Sequence, residues 1–326
     1  MHATIPFDRD GIHHGHLQLP HSRDDSAWGA VMIPVSVIQN GAGPTALLTG
    51  GNHGDEYEGP VALHTLAATL TPDQITGRVI IVPSMNHPAF LAGTRTSPID
   101  AGNLNRSFPG SATGTITQKI AAYFQTTLVP LADIVLDFHS GGRTLDFVPF
   151  AAAHLLDNAD QQAACVAAMT AFNAPYSVML REIDNVGMYD TAVEDMGKIF
   201  VSTELGGGGS ATARSIGIAT KGLRNLLIHA GILHGTLDIS PTTFIDMPEG
   251  ESFTFATRAG LFQPLVDLAS PVRKGQPIAN IWDIAHTGAR PQPLLAAGSG
   301  ILIARHFPGL IKMGDCAGVV GVCRTQ

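Results

Sequence analysis

Between residues 45 and 233, short unbroken apolar runs alternate with longer segments of helical spacing. The runs 45–49, 78–83, 134–138 and 197–204 have the length of strands buried on both faces, as in a sheet covered on each side. Helices are expected from Gly59-Pro60 through Leu70, with the proline in the first turn, and over 117–128, 160–171 and 211–233. The pattern is α/β, with a mixed, mostly parallel sheet flanked by helices. Residues 86–110 show neither period, and a loop of that length in a compact domain is usually functional. Past Pro241 the text changes to short strand-like segments, 251–256, 260–265, 277–282 and 298–304, separated by glycine turns. Residues 1–241 therefore read as one domain and 242–326 as a smaller all-β domain. At the other end, an alternating segment ending at Pro20 carries His13, His14 and His16, with His21 just beyond. With no carboxylate or cysteine at fixed spacing, this cluster reads as a flexible terminus that picks up metal without doing chemistry.

Composition narrows the classes. Hydrophobic residues make up 44% of the 326 and charged ones 14%, which fits a compact globular protein. Net charge is −8 with no lysine or arginine run, so no footprint for nucleic acid is present. No stretch reaches about 18 unbroken apolar residues, so no membrane span is expected. The first ten residues lack the basic start and apolar run of a secretion signal. Three scattered cysteines, Cys165, Cys316 and Cys323, read as free thiols in a reducing compartment, and the cytoplasm is the expected location. A homo-oligomer is left open.

Candidate chemistry sits at strand ends, where open α/β sheets bind ligands. Gly51-Asn52-His53-Gly54-Asp55-Glu56 places an imidazole and a carboxylate in one glycine-flanked turn. Zinc takes His nitrogen and Glu oxygen, and catalytic sites use three protein ligands. A His-x-x-Glu pair recurs by chance, and a lone histidine at a strand end is more often a satisfied polar residue. His139, ending the run 134–138 before Ser140-Gly141-Gly142, joins the two, and the reading rests on all three. Glu204 ends another apolar run directly before four glycines; it reads either as a general base beside a metal-activated water or as a helix cap or ion-pair residue. The long loop supplies Arg95 and Asn103-Leu104-Asn105-Arg106, side chains suited to polarising a carbonyl or gripping a carboxylate.

In that order, His53-x-x-Glu56, Asn105-Arg106, His139 and Glu204, the motifs resemble the succinylglutamate desuccinylase/aspartoacylase family, relatives of the zinc metallocarboxypeptidases. The resemblance implies a zinc carboxypeptidase-like fold with a C-terminal β domain near the pocket mouth. It implies one zinc per chain on His53, Glu56 and His139, with Glu204 activating water. Arg95 would polarise the carbonyl, and Asn105 and Arg106 would hold the carboxylate of a small N-acyl amino acid. The family pattern is often Asp-x-Asn-Arg; here Asn103 takes the first place, and Asp137 offers another carboxylate. Which group supports which histidine stays open. Within the family, His14-Gly15-His16-Leu17 and Ser22 to Gly29 resemble deacetylases of ectoine breakdown, which act on N-alpha-acetyl-L-2,4-diaminobutyrate. Asp184, Asp190 and Glu194 are unranked candidates to meet the ammonium of such a substrate. The tail resembles biotinyl-type domains but has Lys312-Met313 in reversed order. Alternatives are another N-acyl amino acid deacylase, a metallocarboxypeptidase, or a silent metal- or ligand-binding homologue.

Overall fold

The computed structural model describes residues 1–181 and 183–324. Four parallel strands, Gly77–Val82, Thr45–Gly50, Ile134–Phe138 and Ile199–Glu204, lie side by side at the centre of one large sheet. Their unbroken apolar text is explained by burial on both faces. Alternate residues Ala46, Leu48, Ile134 and Leu136 face one core. There they meet helices Glu58–Thr69, Ala159–Phe172 and Ala213–His229. Leu47, Ile80 and Val135 face the other core with Ile120, Phe124 and Leu128. Each fully buried leucine or isoleucine here contributes about 1.5–3 kcal/mol.

Antiparallel neighbours extend the sheet on both sides, so it is mixed. Strand Ala30–Asn40 flanks Gly77–Val82, and Gly11–Pro20 pairs with it along its whole length. His13, His14 and His16 are thus strand residues, not part of a flexible terminus, and His14 Nδ1 lies 2.8 Å from Ser36 Oγ. On the other side come Phe150–His154, antiparallel to Ile199–Glu204, and then Tyr176–Leu180, Thr243–Asp246 and Cys316–Cys323.

The region expected to be one structureless loop, 86–110, contains the helix His87–Ala92 and a 3-10 turn, Leu104–Arg106. The helix expected over 117–128 runs as Ile116–Tyr123 and passes into a wider turn, Phe124–Leu128. In the tail, Gln292–Leu295, Pro277–Trp282, Gly260–Pro264 and Leu310–Ile311 form a separate antiparallel sheet. The strands Gly300–His306 and Cys316–Cys323 join the large one. Thr325 and Gln326, the end of the segment read as the β domain, lie outside the described residues. Gly300–His306 also pairs with Leu145–Phe147, and Phe307 donates its N–H to Thr144 at 3.0 Å. The tail is thereby fastened to the loop after His139. Among the described residues no helix is long and apolar enough to cross a membrane.

Candidate metal centre

The strand Thr45–Gly50 ends in a tight turn that carries His53 and Glu56 inward, 3% and 2% exposed. Gly54 makes the turn possible: a Cβ there would stand 2.0 Å from the backbone carbon of Ala89. On the neighbouring strand, Asp137 lies in register with Thr49, and His139 follows one residue past the strand end. The His139 N–H is donated to Thr203 Oγ1 at 3.1 Å, which locks the end of one strand to the next. Farther along, Gly207 packs against the Leu145 carbonyl, where a Cβ would lie 2.0 Å from the oxygen at φ +156°. The glycine run thus lets the backbone close in behind Glu204.

His53, Glu56 and His139 offer donor atoms within 4.8 Å of one another, the only such group among the described residues. Glu56 Oε1 is 2.8 Å from His53 Nδ1, and Oε2 is 3.1 Å from His139 Nδ1 and accepts the Ser140 N–H at 3.2 Å. His139 Nε2 lies 2.8 Å from Asp137 Oδ2. With that nitrogen donating to Asp137, a neutral His139 turns the lone pair of Nδ1 toward a carboxylate oxygen. Such an approach demands a cation between them, either a proton or a metal, so the residues fit a His₂Glu metal site. The charges agree. Burial opposes the charged ring, yet Asp137 and then Glu56 outweigh it and hold His139 well above the usual histidine value. Burial pulls His53 below it, with Glu56 opposing. Burial resists ionisation of Glu56 too, but His53 and His139 keep it far below the ordinary carboxylate range.

The support of the two histidines, open in the sequence, divides unequally. Asp137 serves His139, and it also accepts from Thr49 Oγ1 at 2.7 Å and Asn52 Nδ2 at 3.0 Å. Asn103 serves neither: its Oδ1 caps the turn by accepting the Asn105 N–H at 3.1 Å. The buried Nε2 of His53 has no hydrogen-bond partner among the described residues.

A cavity of ≈ 140 Å³ gathers His53, Glu56 and His139 together with Arg95, Asn105, Arg106 and Glu204. These seven come from five separate places in the sequence, and the fold brings them to one space. Arg95 Nη1 is 3.3 Å from His53 Nδ1 and 3.9 Å from Glu56 Oε1, with nearly half its side chain exposed. Asn105 Oδ1 accepts from Asn52 Nδ2 at 3.3 Å and from the Tyr189 N–H at 2.9 Å, which leaves Nδ2 as its donor to a ligand. Arg106 Nη1 donates to the Asn105 carbonyl at 2.6 Å. Sequence reasoning missed Asn52, Thr203 and Glu58. Asn52 adjoins His53 in the motif, which was its one visible mark. Glu58, 2% exposed, is pushed up to about 7, first by burial, while Ser140 and backbone hydrogen bonds oppose and the Glu56 charge adds.

Residues 42–230 match the succinylglutamate desuccinylase/aspartoacylase catalytic domain. The chain belongs to this family, and it is a hydrolase acting on the amide bond of a small N-acyl amino acid. It is 52% identical to the N-alpha-acetyl-L-2,4-diaminobutyric acid deacetylase of Halomonas elongata, over 98% of this chain and 94% of that one. Among solved structures it resembles the product-bound ectoine utilization protein EutE (DoeB) of Ruegeria pomeroyi. Identity there is 65%, TM-score 0.97, and 98% of each chain is covered. A succinylglutamate desuccinylase from Silicibacter sp. TM1040 is 64% identical with TM-score 0.96, covering 99% of this chain and 98% of that one.

Proposed function

We propose that this chain removes acetate from N-alpha-acetyl-L-2,4-diaminobutyrate in the cytoplasm, with one zinc held by His53, Glu56 and His139. The observation that carries the reading is the single small cavity that collects three metal donors, a carboxylate and two arginines. The identity to a deacetylase over nearly the whole chain supports the substrate. Zinc, when bound there, supplies an electrophile that makes water a nucleophile near neutral pH. The chain's own residues do the rest. Glu204 takes the proton of the attacking water and returns one to the departing amine nitrogen, so that a neutral amine leaves. Arg95 donates to the scissile carbonyl oxygen as negative charge grows on it. Arg106 and Asn105 Nδ2 hold the α-carboxylate and so orient the amide toward Glu204 and Arg95. The freed amine should be measured over a panel of N-acetyl, N-succinyl and peptide substrates, with metal stripped and then zinc restored. Turnover confined to acetylated diaminobutyrate and dependent on zinc is expected. Preference for a succinyl compound or a peptide would overturn the assignment.

A further inference from the structure

Beside the metal cavity lies a larger one of ≈ 730 Å³, and the two share Leu180 and Asp190. Asp190 stands at the junction, 7% exposed, on the short helix Tyr189–Glu194. Its Oδ1 accepts from the N–H and hydroxyl of Thr191. Its Oδ2 accepts no hydrogen bond among the described residues and lies 3.8 Å from His154 Nε2. This oxygen is free to accept a cation that enters the space where the two cavities meet.

We propose that Asp190 receives the side-chain ammonium of the substrate, held in place by His154 and Glu194, and so sets the preference for a diamino acid. This rests on the deacylase reading above. His154 Nδ1 is 2.9 Å from Glu194 Oε1, and its ring stacks on Phe200 with centroids 6.4 Å apart. Two carboxylates around one imidazole carry net negative charge whether or not the ring is protonated. Asp157, Asp184 and Asp195 on the larger cavity add to the field.

The spacing of the two ends is built into the backbone. Asn105, beside Arg106, accepts the N–H of Tyr189, the residue before Asp190. One hydrogen bond therefore joins the pair that grips the α-carboxylate to the helix that carries the anion. A ligand with a carboxylate at one end and an ammonium a short chain away fits between them, while a side-chain carboxylate is repelled.

The test compares N-alpha-acetyl-2,4-diaminobutyrate with N-acetylnorvaline, which has a methyl group in place of the ammonium, on zinc-loaded wild type and Asp190→Asn. Wild type should favour the diamino substrate in kcat/KM by about 10-fold or more, the size of a hydrogen bond to a charged group. Asp190→Asn should lose about 10- to 100-fold more on the diamino substrate than on the norvaline one. Equal rates on both substrates in wild type leave the deacylase reading standing and overturn the role of Asp190, without needing the variant to fold. Equal losses on both substrates in the variant, or no loss, overturn it as well. If wild type cleaves neither compound, the deacylase reading itself falls, and this inference falls with it.

Discussion

Asp137→Asn isolates the contribution of one buried charge to metal binding. Asp137 is wholly buried and takes three donors: Thr49 Oγ1 on Oδ1, and Asn52 Nδ2 and His139 Nε2 on Oδ2. An asparagine can keep this geometry in one orientation only. Its carbonyl oxygen must face Asn52 and His139, and its amide N–H must face Thr49. The Thr49 hydroxyl can then donate wholly to the Leu136 carbonyl, already 3.0 Å away, and accept from the amide. All partners stay satisfied, so the fold should survive and only the charge is lost. Removing a partner of a metal-bound histidine typically costs about 10- to 100-fold in metal affinity, roughly 1.4–2.7 kcal/mol.

The pH dependence makes the prediction specific. A proton and the metal compete for His139 Nδ1. Asp137 favours both, because it raises the proton affinity of that ring. The ratio of variant to wild-type Kd should therefore be largest at about pH 9, where the proton competes least, and narrow toward about pH 6. Competition with a chromogenic chelator at both pH values measures it. Equal affinities at the alkaline pH, in a variant that folds, would show that Asp137 does not support a ligand.

Glu204→Gln should retain zinc and bind substrate yet lose roughly 10²-fold or more in turnover, since shape survives while proton transfer does not. Near-normal turnover would make Glu204 structural. Arg95→Ala should chiefly lower kcat, by about 10²-fold, as expected for one donor to a developing oxyanion. Arg106→Lys should chiefly raise KM, because lysine keeps the charge without the two-pronged grip; an exchange of these two patterns would reverse the roles. Glu58 supplies a stability test in metal-free protein. Its carboxyl titrates at about 7 when folded, against 4.5 as the reference value. Its contribution is thus fully present below 4.5 and lost as pH rises through 7, a gap worth about 3 kcal/mol. Glu58→Gln should flatten that fall in a denaturant series, and an unchanged slope would refute the buried acid.

What the sequence made legible were the parts fixed by local text. The strands 134–138 and 199–204 could be read because burial on both faces leaves an unbroken apolar run, and their ends then pointed to His139 and Glu204. Phe150–His154 escaped notice because its three central residues are alanines, which suit a helix as well as a packed strand. Tyr176–Leu180 and the six-residue helix Tyr189–Glu194 carry too few residues to show a period.

Those missed elements hold what the motifs could not convey. Asp184, Asp190 and Glu194 were indistinguishable as letters. Only the placing of Tyr189–Glu194 against Asn105 on one side and His154 on the other sets Asp190 apart. The division of the two histidines was equally hidden, because a substitution at Asn103 says nothing of where its neighbours point. In the fold, parallel register puts Thr49 and Asp137 side by side, and the two-residue strand period puts Asp137 and His139 on one face. That pairing lets a carboxylate reach the back of one ring, while the Nε2 of the other has no partner among the described residues. The candidate metal donors are therefore readable from spacing within strands and turns, whereas the proposed ammonium site rests on contacts between elements far apart in the chain.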